Sequence, residues 1–174
     1  MKTFKKFLVS AWEVLEVLLI SVVTVFIIRN FIAQPFLVSG ASMEPNFSHG
    51  NYIIVDELTY RFREPERGEV VIFRYPRDPS TYFIKRIIGL PGERVIVRNG
   101  KAVVVKNGEE ISIPGEVNGA VDMTLNKDQY FVVGDNRYNS FDSRNWGPVT
   151  RKELIGIARL RVFPLNDFEL IKNE

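Results

Sequence analysis

Ser42 lies among small residues in Val38-Ser39-Gly40-Ala41-Ser42-Met43-Glu44-Pro45, followed by Asn46 and Phe47. A serine on a tight small-residue turn can present its hydroxyl to a groove with little hindrance, and nearby backbone N–H groups can bind a developing oxyanion. An inert Gly/Ser/Pro loop has the same composition, so this segment alone leaves both readings open. A serine nucleophile also needs a base. The chain has one histidine, His49, and no cysteine. A Ser-His-Asp triad would have to use His49, whose Ser48-His49-Gly50 turn reads as solvated. Thiol catalysis, disulfides, cysteine metal sites and a His-rich metal centre are excluded.

Lysine and the carboxylates remain as candidate bases. Lys85 is conspicuous within Tyr82-Phe83-Ile84-Lys85-Arg86-Ile87-Ile88. Strand alternation places Phe83, Lys85 and Ile87 on one face, with Ile84, Arg86 and Ile88 on the other. Most mid-strand lysines are solvated. A buried one differs, because desolvation disfavours the ammonium, and a neighbouring Arg86 would lower its pKa further. Only a neutral amine can take a serine proton, so an ordinary lysine pKa of about 10.4 would have to fall by about 2 or more. A third stretch, 134–149, is dense in hydrogen-bonding side chains bracketed by Gly and Pro. It reads either as a surface turn network or as a brace for a site.

The elements that must position these residues follow from patterning. Of 174 residues, with a net charge of +2, about 140 remain beyond the apolar N-terminus, enough for one substantial core. The charge is too balanced and too scattered to suggest nucleic acid. Residues 12–33 form a largely apolar segment behind a lysine-bearing tail at 1–11, long enough to cross a bilayer. Its length exceeds the apolar core of a removable signal peptide, so it is expected to be an uncleaved anchor. Lysines precede the span and none follows until after Tyr60. By the positive-inside rule the N-terminus stays cytoplasmic and residues 35–174 are exported. Those residues read as mainly antiparallel β, with strands at 52–55, 69–73, 82–88, 94–97, 130–133 and 155–162. Asn99-Gly100 and Asn107-Gly108 predict hairpins within an excursion at about 94–128. Arg151–Leu154 predicts a short helical turn capped by Thr150.

Taken together, the Ser42 segment, Arg67-Gly68-Glu69-Val70-Val71-Ile72-Phe73, Phe83 through Glu93, and Gly134-Asp135-Asn136-Arg137 through Trp146-Gly147 resemble, in order, the sequence boxes of the bacterial type I signal peptidases. These are membrane-bound serine proteases that remove signal peptides. The resemblance implies a mainly β, signal-peptidase/repressor-protease-like catalytic domain behind one transmembrane helix, in a single-pass protein of the bacterial cytoplasmic membrane. It implies Ser42 as nucleophile and Lys85 as general base, with Ser140 hydrogen-bonding the Lys85 amine. Asp142 and Arg144 would pair to hold their loop, supported by Asp135. Phe36, Val38 and Ile84 would line shallow pockets suited to small side chains at positions −1 and −3 of the substrate. The exported pre-protein would bind extended beside 36–39 and 82–84.

Three positions depart from the usual pattern. Gly40 stands where some relatives have an oxyanion-binding serine, Asn46 replaces a threonine, and Tyr138 stands where Asp or Asn is common. The expected partners are signal peptides and the lipid bilayer, with no cofactor, no metal and no nucleic acid. Nothing in the sequence specifies an oligomeric state. A self-cleaving Ser/Lys repressor would need a DNA-binding region where the span lies. A non-catalytic relative would be expected to lack Ser42 or Lys85.

Overall fold

The computed structural model describes residues 2–171, so Met1 and residues 172–174 of the expected tail and export domain lie outside the described residues. The chain begins with helix α1, Lys2–Phe31, which takes in the lysine-bearing tail as well as the apolar segment. Ser10–Ile27 is long and apolar enough to cross a membrane, and all of it lies exposed on the protein. Eighteen helical residues span about 27 Å, close to the hydrocarbon thickness of a bilayer.

Strand β1, Ala33–Leu37, follows immediately. Pro35 concealed it in the sequence, yet proline is tolerated because β1 is the edge of its sheet. The remaining large-sheet strands are β2 (Tyr52–Asp56), β3 (Val70–Tyr75), β4 (Asp78–Gly89), β9 (Gln129–Val133), β10 (Val149–Thr150), β11 (Leu154–Phe163) and β12 (Glu169–Leu170). They run in the order β1-β2-β11-β3-β4-β9-β10, with β12 added beside β11, and every described pairing is antiparallel.

A second sheet carries the excursion read from the sequence. It comprises β5 (Arg94–Arg98), β6 (Lys101–Lys106), β7 (Glu109–Ile113) and β8 (Val121–Thr124), in the order β7-β6-β5-β8. Asn99 and Asn107 both adopt positive φ, as two-residue hairpin turns require. Ile88, Val95, Val104, Phe131 and Val133 form one core between the sheets.

Two further cores flank β4, in which Ile84 to Gly89 are all buried, Lys85 and Arg86 included. Val71, Phe73, Ile87, Val132, Trp146 and Ile157 pack together in one of them. Met43, Phe47, Ile53, Val55, Ile72 and Ile84 pack in the other. The helical turn expected at 151–154 is instead a hydrogen-bonded turn, where Glu153 accepts from the Thr150 backbone and hydroxyl. The short helix α2, Ser143–Trp146, forms earlier, because Asp142 caps its N-terminus and Asn145 completes a capping box.

Candidate active site

Ser42 is held by what lies on either side of it. Met43 and Phe47 are almost wholly buried and fasten the segment into the core beneath. Asn136 secures the other side: its backbone N–H donates to the Ser42 carbonyl and its side-chain amide to the Ala41 carbonyl, each at 3.1 Å. Gly40 takes φ +90°, a conformation that favours glycine. Its N–H donates to His49 Nδ1 at 3.3 Å, so the exposed histidine braces the turn. Among the described residues nothing accepts from the Ser42 N–H, which leaves it available to an oxyanion.

Lys85 meets Ser42 from the middle of β4. Its Nζ donates to Ser42 Oγ at 2.7 Å and to the Ile84 carbonyl at 2.8 Å. The residue is 3% exposed, and the amine lies 5.5 Å from the centre of the Phe83 ring. Burial is the main cause that brings the amine down to a pKa of about 8, against Asp142 and Asp135, which favour the charged form. The Arg86 cation, expected to add to this lowering, is turned the other way and neutralised by Asp135 through two bonds of 2.7–2.8 Å.

The polar stretch after β9 is a brace. Arg144 grips Asp142 with both edges of its fork, at 2.7 and 2.8 Å, and also donates to the Arg137 carbonyl at 2.7 Å. Burial would raise the Asp142 carboxyl, but Arg144 and the Gly134 N–H outweigh it and hold the group below its ordinary range. Ser140 is placed differently from expectation. Its Oγ is buried close to Asp142 but makes no hydrogen bond among the described residues, and the bonds to the Lys85 amine come from Ser42 and Ile84.

Sequence reasoning left Asn46 and Tyr138 without a role. Asn46 donates to Asp135 at 2.8 Å, so it joins the Ser42 segment to the Arg86–Asp135 pair. Tyr138 donates its hydroxyl to Glu116, which ties the brace to the connection between β7 and β8. Asn46→Ala is expected to destabilise by about 1 kcal/mol, the worth of an ordinary hydrogen bond. Asn46→Asp, which sets a carboxylate against Asp135, should lower the midpoint of a circular-dichroism melt distinctly more at neutral pH. Equal melting of the two variants would show that this contact carries nothing.

A groove of about 280 Å³ leads to the Ser42–Lys85 pair. Phe36, Val38 and Ile84 line it, together with Ile53, Tyr82 and Phe141, which the sequence had not singled out. Phe36 and Tyr82 face each other with ring centres 5.6 Å apart, bringing β1 close to the first half of β4. Both stretches present a strand edge paired on one side only, since β9 pairs with β4 only from Arg86 onward.

A buried lysine amine on a serine hydroxyl, beside an apolar groove with free strand edges, has the makings of a peptidase site. A family model for signal peptidase, peptidase S26, matches residues 11–163. This chain belongs to that family. A probable signal peptidase I-2 from Synechocystis sp. is 37% identical over 95% of this chain and 79% of its own length. Signal peptidase I V of Bacillus subtilis is 36% identical over 79% of this chain and 90% of its own. Signal peptidase I P of Bacillus subtilis subsp. natto is 32% identical over 87% and 89%. As a family member the chain is a serine endopeptidase that removes signal peptides. Its one long apolar helix fits a membrane anchor for such an enzyme.

The family boxes also acquire structural reasons. Arg67, from the second box, binds both oxygens of the fully buried Glu93, at the end of the third, at 2.8 Å. Glu69 is likewise buried and accepts from the Tyr60 hydroxyl at 2.8 Å and the Glu66 N–H at 2.9 Å. These carboxylates lock the turn that leads into β3 and the turn that leaves β4, at one end of the antiparallel pair, and so help fix the strand that carries Lys85.

Proposed function

We propose that this signal peptidase cuts exported pre-proteins with Ser42 as nucleophile and Lys85 as general base, after small residues at positions −1 and −3. The observation that carries the reading is the 2.7 Å contact between a buried amine and the Ser42 hydroxyl at the end of the groove. Neutral Lys85 takes the Ser42 proton as Oγ attacks the scissile carbonyl carbon, and the new oxyanion faces the Ser42 N–H. The resulting ammonium returns that proton to the leaving amine as the C–N bond breaks. Water, deprotonated by Lys85 in turn, then releases the acyl group from Ser42.

Asp142, Arg144 and Asp135 act as positioning groups, because they hold the loop that holds the Ser42 carbonyl. Ser140 would orient the amine by accepting a hydrogen bond from it, a bond that would also satisfy its buried hydroxyl. The substrate adds as a strand between the edges of β1 and β4, with its small side chains against Phe36, Val38 and Ile84. The N-terminus lies in the cytoplasm and the catalytic domain outside the membrane, where an emerging signal peptide presents its cleavage site.

A pre-protein with alanine at −1 is expected to be cut at one bond, and phenylalanine at −1 to slow cleavage at least about tenfold, because the shallow groove cannot take the ring without overpacking. Chelators should leave the rate unchanged. Equal cleavage of both substrates would remove the pocket assignment, and inhibition by a chelator reversed by added metal would remove the two-residue mechanism.

A further inference from the structure

Behind β4, on the face opposite Lys85, lies a second cleft of about 310 Å³ that the peptidase reaction does not use. Asn46, Arg67, Arg86, Ile113, Asp135 and Arg137 contribute to its walls. The end of the Ser42 segment closes one side and the turn after β7 another. Two of its guanidiniums have carboxylate partners, Arg67 with Glu93 and Arg86 with Asp135. Arg137 is the third cation against those two carboxylates.

Arg137 Nη1 is buried and has no hydrogen-bond partner among the described residues. Its surroundings oppose its charge: burial first of all, then the Arg144 and Arg86 guanidiniums, with Asp135 and Asp142 in partial compensation. Leaving a buried guanidinium donor unmet is unfavourable by the full desolvation of that N–H. A cavity wide enough for a ligand, lined by a guanidinium with no ion-pair partner among the described residues and carrying one net positive charge, is complementary to an oxyanion.

We propose that this cleft is a binding site for a phosphate-class oxyanion, free or carried on a lipid headgroup, with Arg137 as its principal ligand. The site has a direct route to the catalytic loop. Arg137 follows Asn136, whose two donors hold the Ala41 and Ser42 carbonyls. An anion clamped by Arg137 would therefore fix the residue that positions the nucleophile.

The test uses the full chain in zwitterionic detergent, titrated calorimetrically with inorganic phosphate at fixed ionic strength. A second arm compares soluble dihexanoyl phosphatidic acid with dihexanoyl phosphatidylcholine. Saturable one-to-one binding is expected, weakened about tenfold or more by Arg137→Gln, the loss of one charge-assisted contact. Arg98→Gln, exposed on the second sheet, should leave it unchanged. Pro114→Glu, which brings a carboxylate to the exposed rim, should also weaken it, and it decides the matter if Arg137→Gln does not fold. Binding of phosphatidic acid alone, with the same dependence on Arg137, identifies a lipid headgroup as the source. No saturable binding of either probe, or affinity unaltered in both cleft variants, overturns the proposal.

Discussion

Ser42→Ala and Lys85→Met are each expected to remove pre-protein cleavage almost entirely, and to differ in what they do to stability. Loss of a positioned general base reduces the rate roughly 10²- to 10⁴-fold, and loss of the nucleophile leaves no covalent route at all. In the unaltered enzyme kcat/KM should rise roughly tenfold per pH unit until about 8, where half of the Lys85 amine is neutral, and then level off. A flat profile through that region would mean that another group limits the reaction.

The stability of Lys85→Met follows from the same amine. Folding lowers its pKa from 10.5 to about 8, so between those values the unfolded chain holds more protons than the native one, and stability rises with pH. Below about 8 the buried lysine therefore opposes folding by about 3 kcal/mol, and above 10.5 that penalty is gone. Methionine fills similar space without charge, but leaves Ser42 Oγ and the Ile84 carbonyl without their donor, at about 1 kcal/mol each. The variant is then expected to be more stable than the parent by about 1 kcal/mol at neutral pH, and less stable by about 2 kcal/mol above pH 10.5. Urea unfolding at both pH values measures the crossing. A difference that keeps one sign and size would show that the amine is not desolvated in the native state.

How much of this was legible in the sequence depends on which kind of signal each element carries. β9 announces itself through a run of aromatic and β-branched residues, β4 through two such runs on either side of Lys85-Arg86, and the second sheet through two Asn-Gly pairs. β1 was hidden because proline reads as a break, and only its position at a sheet edge makes it acceptable. α2 was hidden because four residues are too few to carry a hydrophobic period. Its cause is a cap, and Asp142 makes that cap while also gripping Arg144. Ser42 and Lys85 could be picked out as chemistry, but their distance could not, since 43 residues separate them and only the sheet order brings them together. Asn46, Asn136 and Tyr138 stood in or beside recognised boxes with no signal of which partner each would find. A hydrogen bond between side chains far apart in the chain leaves no periodic trace.

The close approach at Gly134 leads to the second large effect. A Cβ there would lie 2.3 Å from both the Ser42 carbonyl oxygen and Ser140 Oγ, far inside contact distance. Ser140 also presses with its Cβ, at 2.6 Å, which no rotation of its side chain moves, and the Ser42 oxygen is backbone and is already held by the Asn136 N–H. Gly134→Ala must therefore push the nucleophile segment away from the end of β9 by something on the order of an ångström, a misplacement that can lower turnover about 10²-fold. The overpacking itself should destabilise by only about 1–3 kcal/mol, because strands β4 and β9 remain intact. Activity and stability should separate further in Gly134→Ala/Ser140→Gly. Removing the Ser140 side chain relieves both clashes with that residue and restores part of the melting temperature. The Ser42 carbonyl stays displaced, so cleavage stays low. Near-normal cleavage by Gly134→Ala would instead mean that the loop has enough slack to absorb a methyl group, and that the 2.7 Å contact between Lys85 and Ser42 does not depend on how tightly the segment behind it is packed.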